Sequence, residues 1–137
     1  MVRTINTDIF TLNQKSLPAG KEDLPAAMDL LDTLRANSER CVGMAANMIG
    51  VNRRIIAVDM GAAAVLMLNP VIVRKYGDTY EAEEGCLSHT GTKRTLRSQN
   101  VEVQFQDMNF KSHRQTFSGL TAQIIQHEID HCDGILI

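Results

Sequence analysis

The segment His127-Glu128-Ile129-Asp130-His131 sets two imidazoles four positions apart, with a carboxylate beside the first. On an α-helix that spacing is about one turn, so both rings project from one face and can reach a single metal ion. Glu128 can then face the water that such an ion activates and serve as its base. The same letters also fit two polar residues on an ordinary surface helix. The chain has only four histidines, however, and two of them stand here. Catalytic zinc-type centres take three protein ligands and leave a further position open. The best candidate for the third is Cys86, in Glu84-Gly85-Cys86-Leu87-Ser88. A thiolate beside two imidazoles suits zinc or ferrous iron, and Gly85 lets the backbone approach closely. The alternative for a lone cysteine is a small buried apolar residue.

These residues need elements to hold them. The pattern predicts a helix from about Leu120 to His131, opened by Gly119 and stopped near Gly134, with Leu120, Ile124, His127 and His131 on or near one stripe. A second helix is expected from about Pro25 to Glu39, with Leu24, Ala27, Met28, Leu31 and Leu34 on its buried face. Residues 55–59 and 65–69 are short apolar runs that read as strands, the second ended by Pro70. Residues 79–83 form a weaker strand candidate. Residues 101–106 alternate apolar and polar, 107–109 read as a turn, and 113–117 return as a hairpin partner. Strands flanked by two helices indicate an α+β domain.

Length and composition narrow the function. The 137 residues make one domain, with 44% hydrophobic and 22% charged residues, which excludes intrinsic disorder. A net charge of −2 and the absence of Trp argue against a nucleic-acid surface. No run of apolar residues is long enough to span a bilayer, and the first residues lack the apolar stretch of a signal peptide. A cytoplasmic protein without a membrane partner is expected. Three cysteines (Cys41, Cys86, Cys132) are an odd number, so a disulfide framework is not expected. Cys132 should point away from the metal and pack, and His89 and His113 read as ordinary surface or strand residues.

The segments 84–88 and 126–131 (Gln126 precedes the histidine motif) together resemble the peptide deformylase family, which carries GxGxAAxQ, EGCLS and QHExxH in that order. The second and third motifs are intact here. The first is matched by Cys41-Val42-Gly43-Met44-Ala45-Ala46-Asn47-Met48. The resemblance covers nearly the whole chain and implies a single catalytic domain over residues 1–137, with antiparallel strands packed around a central HExxH helix. It implies removal of the formyl group from formyl-methionyl peptides of nascent proteins, with release of formate. Cys86, His127 and His131 would bind ferrous iron, for which zinc or another divalent metal substitutes. Glu128 would move the proton from water to the leaving amine, and the Leu87 N–H would help hold the oxyanion. Gly43, Met44, Ala45 and Met48 would contact substrate, with Met44 and Ile124 as walls of a methionine pocket. The partner is an N-formylmethionyl peptide or nascent chain, with transient proximity to the ribosome.

Two departures bear on activity. Met48 stands where the family has Gln, whose amide is an oxyanion donor, and Met has no N–H to give. Cys41 replaces the first Gly of that motif. These changes motivate an alternative function: a catalytically weakened relative that binds metal and peptide N-termini without efficient turnover. Lys93 or Arg94 is the basic residue expected near the peptide backbone.

Overall fold

The computed structural model describes residues 1–137. Three α-helices and five strands follow in the order α1 (Ile9–Leu12), α2 (Leu24–Ala36), β1 (Gly43–Ala45), β2 (Ile55–Asp59), β3 (Ala64–Gly85), β4 (Thr92–Gln106), β5 (Ser112–Ser118) and α3 (Gly119–Cys132). The strands form one sheet in sequence order, each antiparallel to the next. No helix is long and apolar enough to cross a membrane.

β2 shows why the sheet needs cover on both faces. Its run Ile55-Ile56-Ala57-Val58 is fully buried, and successive side chains point to opposite sides. Ile56 and Val58 pack with Ile124, Ile125 and Ile129 of α3, in a core that also takes Val101, Val103 and Phe117. Ile55 and Ala57 pack with Ala27, Leu30 and Leu34 of α2. The α+β expectation therefore stands. The HExxH helix is the last element of the chain and lies on one face of the sheet.

Three details differ from the sequence reading. First, α2 stops at Ala36, where Asn37 caps it and its side-chain amide donates to the Thr33 carbonyl at 2.8 Å. The buried face of α2 runs through Ala27, Leu30, Leu31 and Leu34, whereas Met28 is 45% exposed. Second, Pro70 does not end its strand. Asn69 takes a left-handed backbone (φ 50°), the pairing register shifts between Leu68 and Val71, and β3 bends and continues. The Asn69 side chain anchors that bend on the Ala19 backbone and on Gln106. Third, residues 92–97, for which the sequence reading named no element, form the first part of β4 and pair with residues 80–85 of β3. The strand at 55–59, the turn at 107–109 and the return strand β5 lie where expected.

α3 is pinned by polar contacts as well as by its apolar stripe. Gln126 accepts from the Ser98 N–H at 2.9 Å and donates to the Ser98 carbonyl at 2.9 Å, which locks the helix to β4. At its end, Gly134 has φ 77°, and a Cβ there would come within 2.6 Å of the Asn13 carbonyl. Only Gly fits both demands.

Candidate active site

The i, i+4 spacing on α3 brings His127 and His131 together as helix geometry requires. Their Nε2 atoms are 3.1 Å apart. Cys86, just past the end of β3, places its Sγ 3.5 Å from His131 Nε2. One donor atom from each of these three residues lies within 4.8 Å of the other two, a set that could hold a metal ion. The chemistry of the set fits a divalent cation, since one thiol and two imidazoles offer soft and borderline lone pairs.

The histidine tautomer is fixed from outside. Glu84 Oε1 lies 2.7 Å from His127 Nδ1, so the Nδ1–H points at the carboxylate and Nε2 turns its lone pair inward. Glu84 is itself held by Arg97, whose Nε and Nη2 donate to its two oxygens at 2.9 and 2.7 Å. Arg97 Nη1 donates to Asp130 at 2.7 Å, and Gln123 donates to Glu84 at 2.9 Å. Arg97 is only 3% exposed. Burial opposes the Glu84 carboxylate, but hydrogen bonds from His127 and Arg97 overcome it and hold its pKa down at about 2. Burial likewise opposes a His127 cation, and the neighbouring Glu128, Cys86 and Glu84 outweigh it, raising the pKa to about 10. A metal ion on Nε2 competes with that proton. Burial and the His127 charge push His131 down to about 3, so its ring is neutral.

Glu128 is buried and its Oε1 has no hydrogen-bond partner. Burial raises its pKa to about 7, in the range useful for moving protons at neutral pH. Across from it, β1 comes so close that a Cβ on Gly43 would lie 2.6 Å from Ile124 Cγ2 and 2.9 Å from Glu128 Oε2. Gly43 is thus required by the approach of β1 to α3.

A cavity of about 480 Å³ opens over this cluster. Gly43, Met48, Cys86, Leu87, Ile124, His127 and Glu128 all border it. Met44 and Ala45 do not. Both are fully buried in β1, with Ala45 packed toward α3 and Met44 toward α2, so they are core residues and not cavity walls. The buried His131 sits behind Cys86 and His127. Leu87 N–H makes no hydrogen bond within the protein. Met48 is buried beside Cys86, its Sδ 4.0 Å from Cys86 Sγ and 3.5 Å from the Ala45 N–H, which donates to it.

Neither basic candidate reaches the cavity. Lys93 Nζ donates to the Leu136 carbonyl at 2.9 Å, and Arg94 is exposed 3.9 Å from Glu81. Arg40 borders the cavity instead. Cys41 also borders it, its thiol donating to the Gly43 carbonyl at 2.8 Å and pushed up to about 12 by burial. Cys132 packs in the core as expected. His113 is less ordinary than expected: it contacts Asp107 at 2.8 Å and stacks on Phe105. Sequence reasoning missed Arg97 altogether. Its one signal is an Arg at an inward position of a strand, which needs a carboxylate partner.

Comparison with known proteins agrees with this geometry. A sequence model of the family described as polypeptide deformylase matches residues 2–137. A peptide deformylase of Clostridium beijerinckii is 52% identical over 137 residues, spanning all of both chains. The crystal structure of a peptide deformylase from Thermotoga maritima superposes with a TM-score of 0.90 at 28% identity, covering 99% of this chain and 95% of that one. A class I type b peptide deformylase from Acinetobacter baumannii, bound to Met-Ala-Ser, has a TM-score of 0.88 at 27% identity, covering 99% and 97%.

Proposed function

The chain belongs to the polypeptide deformylase family, and from that membership we propose how its own residues carry out the family's hydrolysis. It is a metal-dependent hydrolase that removes the N-formyl group from formyl-methionyl peptides and releases formate. The weakened-relative alternative is not favoured, since the 52% identity extends over the whole length of a peptide deformylase. Residues 1–137 act as one catalytic domain in this reading, with the HExxH helix at the centre of the site. Substrate arrives as a nascent chain in the cytoplasm, near the ribosome.

Cys86, His127 and His131 hold the cation, and ferrous iron is the proposed native metal, with zinc as a substitute. The convergence of these donors supports the ligand set. A bound divalent cation supplies Lewis acidity, which acidifies water and polarises the formyl oxygen. Glu128 takes a proton from the attacking water at its free Oε1. As the water oxygen bonds to the formyl carbon and the C–N bond breaks, the same carboxyl returns that proton to the leaving nitrogen. The Leu87 N–H, free of any partner in the protein, donates to the developing oxyanion. Glu84 keeps His127 in the Nδ1–H tautomer, and Arg97 keeps Glu84 ionised. Gly43 and Ile124 wall the site where the methionyl end enters, and Met48 closes its floor.

The observation that carries this reading is a buried carboxylate with a free oxygen, next to three converging metal donors, in one cavity. The test is formate release from a formyl-Met tripeptide by protein loaded with ferrous iron without oxygen. Glu128→Gln is expected to lose about 10²–10⁴ in kcat while keeping its metal. A wild-type rate in that variant would remove Glu128 from the mechanism.

A further inference from the structure

We propose that Gln123 sets specificity for the first side chain of the substrate: its amide N–H donates to an acceptor at the δ position of that side chain, so that formyl peptides beginning with methionine or with methionine sulfoxide are substrates. The inference rests on the deformylase reading above and concerns the same cavity.

The placement of Gln123 carries it. α3 turns one face to the cavity, and Leu120, Gln123, Ile124 and His127 all border it. Their spacing of three and four puts them on one side of the helix. His127 stands at the metal donors, and Gln123 is four residues nearer the start of α3, about 6 Å along its axis. A formyl carbon held at the donors leaves the adjoining side chain to run along this face, away from the metal. Methionine is unbranched with three rotatable bonds, so its sulfur comes level with Gln123. Leu120 and Val42 border the same cavity and are 67% and 47% exposed, apolar surface that the stem of such a side chain covers.

Both ends of the amide are fixed. Tyr80 Oη donates to Gln123 Oε1 at 3.1 Å, and Gln123 Nε2 donates to Glu84 Oε2 at 2.9 Å. Both Glu84 oxygens also accept from Arg97, so Glu84 is an acceptor and the amide nitrogen has to face it. A primary amide carries two N–H bonds. One is spent on Glu84, and the other makes no hydrogen bond within the protein. With Tyr80 and Glu84 holding the amide plane, that second N–H is a donor of set direction, ordered before any ligand arrives. Norleucine, the hydrocarbon of the same shape as methionine, offers it nothing. A thioether accepts weakly and a sulfinyl oxygen more strongly. The sulfoxide is chiral, so its oxygen points to one side or the other, and a fixed donor meets one epimer only.

The test measures kcat/KM for formate release by iron-loaded protein without oxygen. Four formyl tripeptides differ only in their first residue: methionine, norleucine and the two separated epimers of methionine sulfoxide. In the wild type, one epimer should exceed the other by about threefold to tenfold, and methionine should exceed norleucine by about twofold. Gln123→Leu and Gln123→Met, which lack the amide, should bring both ratios to about one. Their absolute rates also fall with the lost contact to Glu84, and the ratios cancel that loss. A general change of polarity moves both epimers together, so the epimer ratio isolates the N–H. Equal rates for the two epimers in the wild type, or a preference kept in the variants, would overturn the proposal. The first of these needs no variant and is read even if both variants fail to fold. No formate from any of the four peptides would instead remove the deformylase reading itself.

Discussion

Replacing Arg97 with Met tests the buried network behind the metal donors. Arg97 and Glu84 are 3% and 7% exposed, and Arg97 makes three charge-assisted hydrogen bonds, two to Glu84 and one to Asp130. Met fills much of the same volume, so the main effect is a carboxylate left in the interior without its counter-charge. Breaking a buried pair in this way costs about 3–5 kcal/mol. At roughly 2.1 cal/mol/K per residue, a chain of this length has an unfolding entropy near 0.3 kcal/mol/K, so Tm should fall by about 10–17 °C. The assay is calorimetry of zinc-loaded protein at one fixed free-zinc activity, because bound metal itself shifts Tm. The double variant Arg97→Met/Glu84→Gln removes the stranded charge but keeps an acceptor for His127 Nδ1. It should recover a good part of the loss. A fall of less than about 3 °C, near 1 kcal/mol, would refute the reasoning, because Glu84 would then not depend on Arg97. A double variant as unstable as the single would show that packing, not charge, was lost.

Three further outcomes follow from the geometry. Gly43→Ala pushes a methyl group to within 2.6 Å of Ile124 and 2.9 Å of Glu128; it should lower stability by about 1–3 kcal/mol and kcat by about 10²-fold, read from thermal melts and formate release. Glu84 is held below its ordinary pKa, at about 2, so its contribution is present above about pH 4.5 and is lost as pH falls from there toward 2. Urea midpoints between pH 5 and pH 3 should therefore fall more steeply in the wild type than in Glu84→Gln, and equal slopes would contradict this. Met48→Gln installs an N–H donor beside Cys86 and should raise kcat, by up to about 10²–10³; an unchanged kcat would mean that the oxyanion is already fully held without a side-chain amide.

Local spacing decided what was legible. The histidine pair and Glu128 could be placed because four residues make about one helical turn whatever the helix packs against. β2 was visible as a short apolar run, and β5 as the return partner of the alternating run at 101–106; both lie where they were expected. Cys86 and Gly43 were found through their motifs, since nothing in their immediate surroundings distinguishes them from a buried apolar residue and a turn.

What escaped depended on register and on contacts between distant residues. Pro70 read as a strand end, yet the left-handed Asn69 and the bulge beside it let β3 run on to Gly85. That continuation sets the pairing of Tyr80 with Arg97, and so brings Arg97 toward Glu84, 13 positions away, and Asp130, 33 positions away. Met44 and Ala45 share a motif with Gly43, but β1 is covered on both faces, so their side chains enter the core, while Cys41, Val42, Gly43 and Met48 border the cavity. The sequence by itself therefore determined the reacting groups and the helix that carries two of the donors, because a helix repeat is local. The tertiary structure alone decided which charges steady those donors and which sulfur lies beside Cys86, because both follow from a bend in one strand and the faces that the sheet buries.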